Sequence, residues 1–108
     1  MQQLTTEELK QKITNGENFI LDLFAVWCGP CKIMLGNLNK VNETLISNSN
    51  GETPTYGVYT YDVDTDKEFV ISELGLRSVP TIKIFKEGKE VFSKPGVMSP
   101  EEVITLLD

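Results

Sequence analysis

The chain has 108 residues, of which 40% are hydrophobic and 24% are charged, and its formal net charge is −6. This size and composition allow one compact domain with a hydrophobic core and exclude a disordered chain. The acidic balance argues against nucleic acid as a partner, because phosphate binding needs clustered lysine and arginine. The absence of histidine excludes Ser-His-Asp and Cys-His nucleophile pairs.

The first half of the chain is predicted to alternate between strands and helices. Residues 2–4 form at most a short strand, and a helix begins at Thr5 or Thr6, either of which is a good cap. Residues 19–26 are an apolar run that only Asp22 interrupts, which is typical of a central strand buried on both faces. A longer helix follows, and the residues predicted to face the core are Ile33, Met34, Leu38, Val41, Leu45 and Ile46.

The second half predicts two more helices and a hairpin. Residues 56–63 read as a strand and residues 64–74 as a short helix, while residues 81–85 and 91–93 alternate as in a hairpin. Ser99 caps the last helix. The predicted inward residues of these two helices are Phe69, Val70, Leu74, Val103, Leu106 and Leu107. The order β-α-β-α-β-α-β-β-α predicts an α/β protein with a mixed sheet and helices on both faces.

The only two cysteines, Cys28 and Cys31, lie between a predicted buried strand and a predicted helix. The same spacing occurs in zinc sites, but zinc usually needs four ligands, and the sequence has neither a second pair nor a histidine. Residues three apart on a helix share a face and can form a disulfide. The start of a helix also stabilises a thiolate on Cys28. We therefore expect a redox-active pair of thiols, with no metal and no separate cofactor.

The segment Trp27–Lys32, with the sequence Trp-Cys-Gly-Pro-Cys-Lys, resembles the active-site motif of the thioredoxin family. The resemblance covers nearly the whole chain, since Asp22, Val79-Pro80-Thr81 and Gly96 fall in the expected order. It implies a thioredoxin fold, with about five strands flanked by four helices in a single domain over residues 1–108. It also implies that the protein reduces disulfides in other proteins and receives electrons from a thioredoxin reductase.

The resemblance assigns chemical roles to four residues. Cys28 is the expected nucleophile, and Cys31, less exposed, is the expected resolving thiol. Asp22 is expected to assist proton transfer at Cys31, and burial without a partner should raise the pKa of its carboxyl. Pro80 is expected to follow a cis peptide bond beside the sulfurs. The alternatives are an outward-facing Asp22 without a role and an ordinary proline at the start of a strand.

The resemblance also predicts a surface that receives an extended substrate. Trp27 is expected to cover the rim of the active site, the alternative being a place in the core. The backbone of Val79 could pair with substrate as an added strand. Pro30 stiffens the motif, and Lys32 either stabilises the thiolate by its charge or is simply solvated. The residues predicted to form the surface are Gly29, Val63, Val79, Pro80, Gly96 and Val97.

Three residues depart from the family pattern. Phe24 stands where a second tryptophan is usual, so packing beneath the site is expected to differ. Gly36 replaces a proline that commonly kinks the second helix. Thr60 lies where many members place a lysine near the buried aspartate, which leaves the tuning of Asp22 open.

Four acidic residues match part of a calcium-binding pattern: Asp62, Asp64, Asp66 and Glu73. Lys67 occupies the position at which such a loop needs glycine for its sharp turn. Acids that cap a short helix explain the same residues, and no metal site is predicted.

The leading interpretation is a cytoplasmic, monomeric protein-disulfide reductase. No apolar run approaches the roughly 20 residues that a membrane helix needs, and no export leader is visible. A second interpretation is a scaffold subunit of a larger complex whose thiols are dispensable. A third, an oxidase or isomerase of an exported compartment, is disfavoured by the missing leader and by Gly29-Pro30, which resembles the reducing members of the family.

Overall fold

The computed structural model of the protein describes residues 1–107. Within that range, strands and helices follow the predicted order β-α-β-α-β-α-β-β-α. None of the helices in residues 1–107 combines the length and the apolar character needed to cross a membrane. The elements are β1 (Gln2–Gln3), α1 (Thr6–Thr14), β2 (Phe19–Phe24), α2 (Gly29–Asn48), β3 (Gly57–Asp62), α3 (Lys67–Ser72), β4 (Thr81–Lys86), β5 (Lys89–Pro95) and α4 (Pro100–Thr105).

The five strands of this range form one mixed sheet in the order β1-β3-β2-β4-β5. Strands β1, β3 and β2 run parallel, whereas β4 is antiparallel to β2 and β5 is antiparallel to β4. Parallel neighbours arise from the helical crossovers, and the antiparallel pair from the tight hairpin between β4 and β5. The predicted mixed sheet with four flanking helices is confirmed.

Helices cover both faces of the sheet because alternate side chains of β2 point to opposite faces. On one face, Leu21 and its neighbours pack with Leu9 of α1 and Phe69 of α3. On the other, Ile20 packs in a cluster with Leu38 of α2 and with residues of α4. Strand β2 is therefore covered on both sides, as its near-continuous apolar sequence predicts.

The buried face of α2 differs from the prediction at two positions. Ile33 and Ile46 are exposed, and the buried residues are Cys31, Met34, Leu38 and Val41. Successive helical residues are rotated by about 100°, so Ile33 lies on the side opposite Cys31. The buried stripe begins at the second cysteine, which acts as a small apolar residue, while Met34, Leu38 and Val41 are buried as predicted.

Val26 and Leu106 are exposed apolar residues that lie outside the element to which the sequence assigned them. Val26 is exposed because β2 ends at Phe24, before the turn that leads into the cysteine motif. The prediction that Leu106 packs inward is wrong, since α4 ends at Thr105 and the side chain of Leu106 is exposed. Ile104 packs against the core in its place.

Candidate active site

The topology brings three separate segments to one end of the sheet. The cysteine motif follows β2, and Pro80 directly precedes β4. Leu23 of β2 pairs with Thr81 of β4, which in turn pairs with Pro95 of β5. The motif, Pro80 and Gly96 therefore meet where β2 and β5 end and β4 begins. Ends of neighbouring strands of this kind commonly form the site in open α/β sheets.

Cys28 is the N-cap residue of α2, with an extended backbone (φ −91°, ψ 112°). Its Sγ atom accepts a hydrogen bond from the Cys31 backbone N–H at 3.2 Å. Pro30 occupies the first turn, where a helix has no partner for an N–H group in any case. The two cysteines form a disulfide, with their Cα atoms 5.3 Å apart. The predicted placement of a sulfur at the start of a helix is observed.

Both cysteines are nearly covered by their surroundings. The exposed fraction is 5% for Cys28 and 4% for Cys31, so the expected difference in exposure between the two thiols is small. Both belong to a buried cluster that includes Ala25 and Val63, and the partly buried Phe24 packs against this cluster. Both also line a cavity of about 490 Å³, whose lining includes residues of α2 and of the start of the chain.

Asp22 lies in β2 with no exposed surface, and it lines the same cavity as the two cysteines. Neither of its carboxyl oxygens has a hydrogen-bond partner within residues 1–107. Its neighbours on the adjacent strands are Thr60 and Ile82, which carry no charge. Because burial penalises the charged form, the pKa of Asp22 is raised to about 7. A carboxyl with this pKa can hold or release a proton near neutral pH.

Trp27 is at the surface of the protein rather than in its core. Its side chain is 70% exposed, and its Nε1 atom donates a hydrogen bond to Asp64 Oδ2 at 3.0 Å. Asp64 follows β3, at the same end of the sheet as the cysteine motif. No local pattern indicates this pairing, because the two residues are 37 positions apart in the sequence. Lys32, on α2, is exposed and lines the cavity beside the cysteines.

The residues of the predicted substrate surface lie in four segments: the start of α2 and the loops that follow β3, precede β4 and follow β5. The peptide bond between Val79 and Pro80 is cis, and the Pro80 carbonyl accepts a hydrogen bond from the Gly96 N–H at 2.8 Å. Gly96 has φ +92°, a conformation that favours glycine. Gly29 and Val97 are exposed and Val79 is half-buried. Val63 is mostly buried, so its side chain offers little surface to a partner.

The acids that resemble a calcium pattern have local structural roles. Asp66 caps α3 and accepts a hydrogen bond from the Phe69 N–H at 3.0 Å. Asp62 accepts one from the Asp64 N–H at 2.9 Å. In the part of the chain that the structure describes, no three acidic, cysteine or histidine side chains are grouped so that they could hold a metal ion.

A family model and the curated relatives of this chain indicate the same family. The family model for thioredoxin matches residues 1–108. A thioredoxin of Chlamydia trachomatis is 31% identical over 107 residues, covering 99% of this chain and 95% of that protein. A thioredoxin of Chlamydia muridarum is 33% identical over 88 residues, covering 82% of this chain and 78% of that protein.

Solved structures agree with the fold. The thioredoxin of Plasmodium falciparum has a TM-score of 0.79 and 27% identity, covering 98% of this chain and 95% of that one. Chloroplastic thioredoxin z, with 23% identity and a TM-score of 0.78, supports the fold alone. The thioredoxin fold expected from the sequence is thereby confirmed. The family model, the curated relatives and the paired cysteines together show that this chain belongs to the thioredoxin family of thiol–disulfide oxidoreductases.

Proposed function

We propose that the protein reduces disulfide bonds in other proteins through a Cys28–Cys31 dithiol–disulfide cycle. The observation that carries the proposal is the position of Cys28, whose sulfur faces a backbone N–H at the start of α2. An N–H donor and the positive end of the helix dipole both stabilise a thiolate there. A thiolate is the attacking species in thiol–disulfide exchange.

The cycle begins from the reduced pair. The Cys28 thiolate attacks one sulfur of a substrate disulfide, so that a mixed disulfide forms and the other substrate sulfur leaves as a thiolate. Cys31 then loses its proton and attacks Cys28 Sγ, which releases the second substrate sulfur. Two electrons pass to the substrate, and the protein is left with the Cys28–Cys31 disulfide that the structure contains.

Asp22 is proposed as the proton acceptor for the second step. Its carboxyl lines the cavity that both cysteines line. The pKa of this carboxyl, about 7, lies near neutral pH. A base with a pKa close to the working pH transfers protons efficiently. Within residues 1–107 no hydrogen bond competes for the carboxyl, and its paired residues Thr60 and Ile82 carry no charge. Water in the cavity would complete the path to Cys31.

We propose that substrate lies in extended form across the loops beside the disulfide. The backbone of Val79 would pair with it, and the exposed Gly29, Gly96 and Val97 would let its main chain approach closely. Trp27 would border the bound segment, held by Asp64. Pro80 and Lys32 would lie beside the sulfurs, and Pro30 would stiffen the motif. Val63 would contribute packing rather than contact surface.

The electron donor, oligomeric state and compartment are proposed from the family resemblance. A thioredoxin reductase would return two electrons to the disulfide after each cycle, and no other cofactor is needed. The Gly29-Pro30 pair is similar to that of reducing family members, which favours the cytoplasm. We propose that the protein acts there as a monomer.

The test is reduction of insulin by the purified protein with dithiothreitol as electron source. We expect precipitation of the reduced insulin chains to be faster than with dithiothreitol alone, and Cys28→Ser to abolish the acceleration. No acceleration by the unmodified protein would count against the reductase function. A scaffold with dispensable thiols would give that result, although it leaves the buried, unpaired carboxyl of Asp22 without a purpose.

A further inference from the structure

Helix α2 holds the loop after β5 through both backbone polar groups of one residue. The Nδ2 atom of Asn37 donates a hydrogen bond to the Met98 carbonyl at 2.8 Å. The Met98 N–H donates one to the Sδ atom of Met34 at 3.2 Å. Met98 is buried, so water does not substitute freely for these partners. Two side chains of the helix that carries the cysteines therefore fix the main chain of this loop.

The same loop is fixed at its other end to the segment before β4. The Gly96 N–H donates a hydrogen bond to the Pro80 carbonyl. Gly96 lies two residues before Met98, the residue that α2 holds. Val97, between these two anchors, is exposed. The short loop thus presents one apolar side chain and the adjoining backbone to solvent, with a fixed position on each side.

Asn37 connects this loop to the helix that carries the cysteines. It lies three residues after Met34 and six after Cys31 on the same helix, so each of these neighbouring pairs is adjacent along α2. Both hydrogen bonds have an amide N–H donor, but the carbonyl oxygen of Met98 is a stronger acceptor than the thioether sulfur of Met34. The hydrogen bond from Asn37 is therefore the stronger of the two by which α2 holds the loop.

We infer that Asn37 is a positioning residue that aligns residues 96–98 with the cysteine pair for protein substrates. The inference rests on the proposed function, since it takes this loop as part of the substrate surface. A protein disulfide must contact the loop and Cys28 together, whereas a small aromatic disulfide needs only Cys28. Loss of the Asn37 contact should therefore weaken reaction with a protein more than reaction with a small molecule.

The test compares two second-order rate constants for the full-length reduced protein, one with insulin and one with 5,5′-dithiobis(2-nitrobenzoate). In Asn37→Leu, which keeps the size and removes the donor, we expect the ratio of the insulin constant to the small-disulfide constant to fall about 5-fold, the effect of one hydrogen bond. Asn37→Gln, which restores an amide, should recover at least half of that ratio. Asn42→Leu is the matched control, because Asn42 lies on α2 beside a cavity lined by Tyr56 and Val58.

The outcomes separate this inference from the proposed function. A ratio for Asn37→Leu within 2-fold of the unmodified protein, or equal to that of Asn42→Leu, would overturn the positioning role. A purely structural effect would lower both rate constants together and lower the thermal midpoint, leaving the ratio unchanged, which also overturns it. If the unmodified protein reacts with neither disulfide, the proposed function itself fails, whatever the variants do.

Discussion

Asp22 and Thr60 are direct neighbours on the parallel strands β2 and β3, and both line the cavity beside the disulfide. Both are buried, and the Thr60 hydroxyl makes no hydrogen bond to the carboxyl within residues 1–107. Many members of the family place a lysine where this chain has Thr60. Desolvation of Asp22 is therefore not offset by a charge on the adjacent strand, which accounts for the high pKa of its carboxyl.

Thr60→Lys should lower the pKa of Asp22 by about 1 unit or more, because an ammonium group within a few ångströms favours the carboxylate. The measurement is the carboxyl chemical shift of Asp22 followed by NMR across pH 4–9. Thr55→Lys adds the same charge at an exposed position and should leave the titration in place. A pKa unchanged by Thr60→Lys would show that the charge does not reach the carboxyl.

Asp22 should make the protein less stable as pH rises. Its pKa is about 7 when folded and near 4 when unfolded, so the folded state binds the extra proton between these values. As far as Asp22 determines it, the free energy of unfolding is highest below about pH 4, falls progressively between about pH 4 and 7, and does not change above about pH 7. Asp22→Asn should remove this dependence and raise the free energy of unfolding at pH 8 by about 2–4 kcal/mol, measured by urea denaturation.

The same variant at pH 4 is its own control, since a protonated Asp22 and an asparagine are both neutral. The free energies of unfolding of the two proteins should then differ by much less than at pH 8.

Asp22→Asn should also slow insulin reduction by about 10-fold or more at pH 7, because the proton acceptor is lost. A variant that is as fast as the unmodified protein, with the same stability at both pH values, would contradict both roles.

Gly36→Ala should stabilise the protein by about 0.5–1 kcal/mol. Gly36 lies within the continuous helix α2, and a Cβ added there would meet nothing within 4 Å. The gain comes from the reduced freedom of the unfolded chain. Thermal and urea unfolding would measure it.

Gly75→Ala is the matched control for this change. A Cβ at Gly75 would also meet open space, but Gly75 has φ +62°, which costs an alanine about 1 kcal/mol. The two substitutions should therefore change the unfolding free energy in opposite directions. Equal losses from both would mean that α2 requires glycine at position 36.

Asp64→Ala should free the indole of Trp27. The chain has one tryptophan, so its fluorescence anisotropy decay reports this side chain alone. Loss of the 3.0 Å hydrogen bond should add faster local motion on the nanosecond timescale. Asp64→Asn keeps an acceptor oxygen and should remain close to the unmodified protein. Identical decays for all three proteins would show that Asp64 does not hold the ring.

Much of the fold could be predicted because local patterns agree with it. Thr5 and Ser99 cap their helices through side-chain hydrogen bonds, and each is paired with a glutamate three residues later. The apolar sequence around Asp22 identified the central strand, and burial on both faces follows from it. These signals depend on neighbours within a few residues, which a sequence displays directly.

What could not be predicted depends on contacts between distant segments. The pairing of Asn37 with Met98 joins residues 61 positions apart, and only the packing of the loop against α2 reveals it. The prediction that Ile33 faces the core is wrong, and its side chain is exposed. Its apolar character alone does not show whether it or a neighbouring residue of the helix faces the core. Exposed apolar residues are common, since proteins have too little polar surface to cover themselves.

The most direct test of the redox cycle is to capture its first covalent product. Reduced Cys31→Ser is mixed with insulin, quenched with acid and measured by mass spectrometry without reductant. The cycle predicts a mixed disulfide between insulin and Cys28, which cannot be resolved without the second thiol and is absent for Cys28→Ser. No adduct with Cys31→Ser, or an adduct of equal yield with Cys28→Ser, would contradict the assignment of Cys28 as the nucleophile.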